Sequence, residues 1–331
     1  MQTMKKKNNC PIEILELLKS SNTIGVISHK NPDGDNIGAT ISTTLAIREN
    51  LKKKVFAIKV DTIPKYLNFL EDLNIIQETK NQDLDLLIYV DCGEINRPGD
   101  VGEIFNKTAK KILNIDHHKT NDFFGDYNFV FPEKSSTCEI LYELFKEIDF
   151  KISKNVADAL LVGINTDTNR FLYESSTSTT LRIAADLYDL GANKDFIYKK
   201  LYQSNDLKVE LLKNKLINRA KFYFDNKVAI IGMFKSDFEN TNLSMDMFDD
   251  LVNYYRDIEG FEVSIIFKEI EENLFKGSVR SKNFVDCSKI CSKLNGGGHT
   301  RASGCKIEGN FDLVCKKIIS LLGKEYFNGG V

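Results

Sequence analysis

Ile24-Gly25-Val26-Ile27-Ser28-His29-Lys30-Asn31-Pro32-Asp33-Gly34-Asp35 is the stretch on which the reading of this chain turns. An apolar, β-branched run of strand length passes into a short polar segment holding one histidine and two aspartates, broken by Pro and Gly. Residues Ile37 to Asn50 then repeat apolar positions at Ile37, Ile41, Leu45 and Ala46, which predicts a helix. Strand, polar turn, helix is the opening of an α/β unit. In open α/β sheets ligands bind outside the carboxyl ends of the strands, where His29, Asp33 and Asp35 would lie.

The same arrangement recurs downstream. Val55–Val60 reads as a further strand. Leu84–Val90, apolar but for Asp85, ends on Asp91. Lys111–Ile115 runs into Asp116, His117 and His118. The apolar segment Ala159–Gly163 leads to Asp167. Helices are expected at Ser136–Ile148, Ser153–Asn165 and Thr179–Leu190. Alternation of this kind predicts a mainly parallel sheet with helices on both faces. Residues 191–226 are helical and strongly charged, and read as a connector. The last hundred or so residues restart the alternation, with strands expected at Val228–Met233, Phe261–Phe267 and Leu274–Val279. Helices are expected there at Ser244–Arg256, Cys287–Leu294 and Phe311–Leu322. The fold class is therefore α/β in two domains, 1–190 and 227–331, joined through 191–226.

Composition narrows the function. The chain has 331 residues, 42% hydrophobic and 28% charged, with a formal charge of -2. That excludes a basic nucleic-acid coat but not a nucleotide substrate, since a metal site supplies its own positive charge. No apolar run reaches the roughly 18 residues that span a bilayer. No apolar stretch of signal length follows the basic start at 1–9. A cytoplasmic location without a membrane partner is the expectation. The seven cysteines include no Cys-x-x-Cys pair and read as free thiols of a reducing compartment. A homodimer is left open.

All four histidines sit among acidic or glycine residues. Taken singly, each cluster has an ordinary reading: a turn at Pro32-Asp33-Gly34, a loop cap at Asp91, a hydrogen-bonded pair at His117 and His118, an Asx-turn at Asp167. Together they deliver carboxylates and imidazoles to one sheet edge. So many carboxylates would repel one another and resist desolvation without cations to neutralise them. Two divalent ions about 3.5–4 Å apart are one solution, used in phosphoryl hydrolysis, where they also ease deprotonation of a water.

These motifs resemble, in order and along nearly the whole chain, the DHH phosphoesterase family with a C-terminal DHHA1 domain. Within it the chain is most similar to the small NrnA-type enzymes. The matching residues are His29-x-x-Pro32-Asp33-Gly34-Asp35, Asp91-Cys92-Gly93 followed by Arg97, Asp116-His117-His118, and Gly163-Ile164-x-Thr166-Asp167-Thr168. In the second domain they are Ser278-x-Arg280-Ser281 and Gly296-Gly297-Gly298-His299-x-x-Ala302-x-Gly304. The resemblance implies hydrolysis of short RNA oligonucleotides and of 3′-phosphoadenosine 5′-phosphate, with cyclic di-AMP or linear pApA as the alternative substrate.

It further implies two Mn²⁺ ions, with Mg²⁺ or another divalent ion as substitute. His29, Asp33 and Asp91 would hold one. Asp35, Asp91, His117 and Asp167 would hold the other, with Asp91 between them. Asp116 would orient a histidine, and His118 would face the scissile phosphate. Arg97, Ser278, Arg280, Gly296, Gly297, Gly298 and His299 would bind the rest of the substrate, so that chemistry falls to the first domain and specificity to the second. The expected site is the cleft between them, with the connector as hinge. Two departures stand out. Asn169-Arg170-Phe171-Leu172 replaces the glycine and Phe-Arg pair of many relatives, and Asn36 stands where a small residue is common. A non-enzymatic reading, a metal-dependent nucleotide sensor, would bind without turnover.

Overall fold

The computed structural model describes residues 7–80 and 82–327; the first six residues of the basic start lie outside them. The chain forms two compact units, Met1–Ser204 and Asn205–Val331. The first opens with helix α1 (Pro11–Ser20). Its sheet contains β1 (Thr23–Ile27), β2 (Lys54–Ile58), β3 (Ile76–Gln77), β4 (Leu86–Val90), β5 (Ile112–Asp116) and β6 (Tyr127–Val130). The order is β3-β2-β1-β4-β5-β6, and every neighbouring pair is parallel. The chain works outward from β1 to β3, then returns to place β4 on the other side of β1. The switch between β1 and β4 opens a crevice at their carboxyl ends. His29 and Asp91 follow those two strands.

Helices α2 (Gly34–Leu51), α3 (Asp100–Asn106), α4 (Thr137–Glu147), α5 (Lys154–Asp167), α6 (Ser178–Asp189) and α7 (Lys194–Tyr202) complete this unit. β4 is buried throughout. Leu86, Ile88 and Val90 join the large core beneath α1, α2, α4 and α5. Leu87 and Tyr89 face a smaller one with Phe105 of α3. Both faces are covered, as the unbroken apolar run requires, but the helices are unequally shared. α2 begins three residues before the expected Ile37, because the Asp33 side chain caps it by accepting the Asn36 N–H at 3.0 Å.

α2 and α5 approach closely at Gly38, where a Cβ would fall on the Ala159 carbonyl oxygen. Backbone cannot yield as a flexible side chain can. Gly38→Ala is expected to destabilise the unit by about 1–3 kcal/mol, the usual range for overpacking, read as a lower urea midpoint.

The second unit comprises α8 (Leu207–Asn218), β7 (Lys221–Tyr223), β8 (Val228–Met233), α9 (Leu251–Tyr254), β9 (Val263–Glu271), β10 (Leu274–Ser281), α10 (Cys287–Ser292), β11 (Gly297–His299), β12 (Ala302–Glu308) and α11 (Phe311–Glu325). Its sheet order is β11-β12-β10-β9-β8-β7. Only β8 and β9 pair in parallel; the other neighbours are antiparallel.

Two expectations need correcting. The helix expected over Ser244–Arg256 is a 3₁₀ segment, Met245–Phe248, followed by the single turn of α9. Ser244, Asp246, Asp249 and Asp250 favour caps and turns over helix interior, and Lys268 draws the Asp246 and Asp249 carboxylates to itself. The segment 191–226 also divides between the units. Ile197 of α7 is buried in the first core, whereas Val209, Leu212 and Leu216 of α8 enter a core of the second. Among the described residues no helix is long and apolar enough to cross a membrane.

Candidate metal centre

His29 leaves β1 with its Nδ1 2.7 Å from the Lys30 carbonyl oxygen. A carbonyl only accepts, so Nδ1 carries a proton; in the metal-free cluster Nε2 carries one too and donates it to Asp91, whose Oδ2 lies 3.2 Å away. With Nδ1 held by the carbonyl, Nε2 is the nitrogen that would give up its proton and turn its lone pair to a cation. Asp91 follows β4 in the left-handed region, φ +58°, at a cost of about 1–2 kcal/mol that Asp tolerates better than most residues. Asp35, fully buried, is gripped by the first turn of α4: the Thr137 and Cys138 N–H groups donate to its two carboxylate oxygens at 2.7 and 3.0 Å. A helix N-terminus suits an anion there. The Thr137 hydroxyl continues the contact by donating to Asp91 Oδ1 at 3.1 Å.

β5 ends on Asp116, and the chain continues through His117 and His118. His117 Nε2 stands 3.2 Å from Asp167 Oδ2, 3.6 Å from Asp91 Oδ1 and 3.9 Å from Asp35 Oδ2. Asp167, the last residue of α5, reaches the cluster from a helix end, not from a strand. His118 donates from Nδ1 to Asp116 Oδ1 at 2.7 Å. Asp116 also accepts from the Asn121 amide at 2.6 Å, which holds the carboxylate that holds the ring.

Among the described residues three groups of potential ligand atoms result, each gathered within 4.8 Å: His29, Asp33 and Asp91; Asp35, His117 and Asp167; Asp91, His117 and His118. Their protonation shows what crowding does. Burial, then the charges of Asp91 and Asp167, push Asp33 up to about 6 and hold Asp35 well above the ordinary carboxylate range. Asp167 is raised by burial and by Asp91. Asp91 is the exception: burial would raise it, but the His29 hydrogen bond and the charges of His117, His29 and His118 bring it down to about 2. His117 is lifted to about 10 against its own burial by the hydrogen bond to Asp167 and the charges of Asp35, Asp91 and Asp167. The bare cluster thus gathers protons to offset its negative charge. Divalent cations would replace them, and an oxygen-rich set with a few imidazoles suits hard or borderline ions such as Mg²⁺ and Mn²⁺.

Two family models match this chain: the DHH family N-terminal domain over residues 23–164 and the DHHA1 domain over 225–324. The chain carries a DHH family N-terminal domain followed by a DHHA1 domain. It is 28% identical over 325 residues to the bifunctional oligoribonuclease and PAP phosphatase NrnA of Thermus thermophilus, covering 96% of this chain and 94% of that one. It is 29% identical over 299 residues to the protein of the same name from Bacillus subtilis, covering 89% and 92%. Its fold is that of an exopolyphosphatase-related protein from Bacteroides fragilis, with a TM-score of 0.87, 24% identity and 95% of each chain covered.

In the DHH domain, Arg97 is exposed, and its carbonyl accepts the Lys30 N–H at 3.1 Å, tying the loop after β4 to that after β1. In the DHHA1 domain the glycine motif is the short strand β11 rather than a free loop. Two rungs cross the sheet: Ser278 pairs with Gly304 and Gly304 with Gly297, while Arg280 pairs with Ala302 and Ala302 with His299. Paired residues share a face, so Gly304 and Ala302 leave a low floor between the Ser278–Arg280 edge and the Gly297–His299 edge. Gly296 is required by close approach, because a Cβ would meet the Gly304 carbonyl oxygen, and Gly298 holds φ +140°.

Thr137, Asn121 and Asn36 are the polar residues that sequence reading missed as parts of the centre. Ser135-Ser136-Thr137 before an apolar helix reads as a cap. Ser136 is one, accepting the Glu139 N–H at 3.1 Å; the next residue instead turns its hydroxyl to Asp91. Asn36, a departure from the family pattern, is buried. It accepts from the Ser28 hydroxyl at 2.7 Å and donates to the His29 carbonyl at 3.2 Å, so the bulkier side chain braces the His29 loop. At the other departure, Asn169, Arg170 and Phe171 are all left-handed, with φ +46°, +63° and +65°.

Proposed function

We propose that this chain is a metal-dependent phosphoesterase acting in the cytoplasm on short oligoribonucleotides and on 3′-phosphoadenosine 5′-phosphate. The observation that carries the reading is the sharing of Asp91: one carboxylate belongs to two of the three ligand groups at the β1–β4 switch. The names of the Thermus and Bacillus relatives support the substrate class. His29, Asp33 and Asp91 would hold one cation, and Asp35, His117 and Asp167, with Asp91, the second; Mn²⁺ is the proposed ion. When bound, such ions neutralise phosphate charge and make a coordinated water more acidic.

The chain's own groups do the rest. Asp116 fixes His118 by taking its Nδ1 proton in a hydrogen bond, so Nε2 is left to face the substrate. That hydrogen bond, opposed by burial and helped by the Asp116 and Asp91 charges, raises the His118 pKa. In the metal-free cluster His118 therefore holds a proton more readily than a free histidine, and its proposed role is to give a proton to the departing oxygen. Arg97 in the DHH domain, and Ser278, Arg280, Gly296, Gly297, Gly298 and His299 in the DHHA1 domain, are proposed to bind the parts of the substrate that do not react.

Activity is expected to vanish in EDTA and return with Mn²⁺; full turnover in chelator would remove the metal assignment. Rates with Mn²⁺ on 3′-phosphoadenosine 5′-phosphate, RNAs of about two to five nucleotides, linear pApA and cyclic di-AMP test the substrate. Preference for either of the last two would move the protein to dinucleotide turnover. Binding of all four without product would make it a sensor. Arg280→Ala is expected to raise KM with little change in kcat, since a guanidinium clamp on a non-reacting phosphate adds uniform binding. Lost kcat at unchanged KM would place Arg280 in the chemistry instead.

A further inference from the structure

The ligand-binding edge of the DHH domain carries an aromatic ring that the metal centre does not use. Beyond β2 the chain runs beside the one leaving β1, and the Asp61 carboxylate accepts the Asn31 N–H at 3.1 Å. A single 3₁₀ turn, Lys65–Leu67, follows. Leu67 is wholly buried and fastens the turn to the core, whereas Tyr66 is 47% exposed. The turn packs on α7, the helix of Tyr202. Burial of the Tyr66 hydroxyl, followed by the charges of Asp33, Tyr202 and Asp167, drives its pKa upward. The turn stands at the sheet edge that carries Asp33, the Tyr66 phenol keeps its proton, and much of the residue stays open.

Tyr202 is already committed. Its hydroxyl donates to Asn165 Oδ1 at 2.5 Å, and the Arg170 guanidinium lies 4.9 Å above its ring. Asn165 is two residues before Asp167, and Arg170 is three after it on the left-handed turn. The same rim therefore carries an open ring and a cation whose place is fixed by stacking.

We propose that Tyr66 is the surface on which a substrate nucleobase stacks while the attached phosphate lies at the Asp33–Asp167 side of the cluster, with Arg170, steadied on Tyr202, as the neighbouring cation. The inference rests on the phosphoesterase reading and adds to it the means of telling a nucleotide from a bare phosphoester. A π-face accepts every base, so the subsite selects nucleotides without selecting sequence.

The test uses the full chain with Mn²⁺ and two probes. One is a diribonucleotide with 2-aminopurine as the base of the cleaved nucleotide; the other is the same compound with that base removed. Tyr66→Leu keeps bulk and loses the π-face, and Tyr66→Phe keeps the ring. For the 2-aminopurine probe, Tyr66→Leu is expected to raise KM at least about fivefold, the low end of what one stacked base contributes. It should also lose the fluorescence quenching seen on mixing with the wild-type protein. Tyr66→Phe should retain both, and the abasic probe should not distinguish the three proteins. Wild-type turnover with unchanged KM and quenching in Tyr66→Leu would overturn the inference and leave the phosphoesterase reading standing. A wild-type protein that turns over neither probe would overturn both, and that arm needs no variant.

Discussion

Replacing Asp91 by Asn is expected to lower kcat by more than about a hundredfold, the scale of losing electrostatic stabilisation at a reacting centre, while the protein stays folded. Asp91 is the only residue common to the His29–Asp33 group and the His117–His118 group. Its two oxygens are differently engaged: Oδ2 lies beside His29 Nε2, and Oδ1 accepts from Thr137 and stands 3.6 Å from His117 Nε2. Removing its charge thus weakens both proposed cation sites at once. Asn is the substitution to use because position 91 has φ +58°. Asn tolerates the left-handed region and can still accept from Thr137, whereas Ala would add backbone strain to the lost charge. His117→Ala, which removes the imidazole nearest Asp167, is expected to lose turnover on the same scale. Rates on the nucleotide substrates, with circular dichroism as the control for folding, decide the matter. Near-normal turnover in Asp91→Asn would end the assignment of the shared carboxylate.

Much of this centre was legible because of where its residues lie in the chain. Asp91 directly follows a short apolar run, His29 follows one after Ser28, and Asp116 closes one broken only by Asn114; a buried strand that stops on a polar residue must deliver it to the sheet edge. The motifs around them then separate a crowded site from a set of unrelated turns. The short elements were not legible. β3, with two residues, and β11, with three, are too brief to show a period. β6 has only the four residues Tyr127–Val130. The boundary between units was hidden for another reason. Leu201 and Leu216 belong to similar charged, amphipathic helices, and an apolar stripe does not say which core will take it. Thr137 was missed because a hydroxyl at a helix start satisfies the capping pattern whether it faces its own backbone or a neighbouring carboxylate. Only the packing of α4 against the Asp35 and Asp91 carboxylates distinguishes the two.

Cation binding should also reverse the pH dependence of stability. In chelator, Asp33 at about 6, and Asp35 and Asp167 above their ordinary range, bind protons more readily folded than unfolded. An acid with a raised folded pKa opposes folding at high pH and ceases to do so as pH falls through that value toward its unfolded value near 4. His117, lifted to about 10, acts in the same sense: its contribution is complete below about 6.5 and is lost as pH rises through its folded value. Asp91, lowered to about 2, has the opposite sign, but its contribution disappears only far below this window. The chelated protein should therefore melt at a higher temperature at about pH 5.5 than at about pH 8. With excess Mn²⁺ the order should invert, because protons then compete with the cation for the same carboxylates and imidazoles. Paired thermal melts in EDTA and in Mn²⁺ at the two pH values read this directly. Parallel slopes in the two media would mean that the carboxylates titrating in the chelated protein are not those that bind the cation, and would separate the metal centre from the cluster at the ends of β1, β4 and β5.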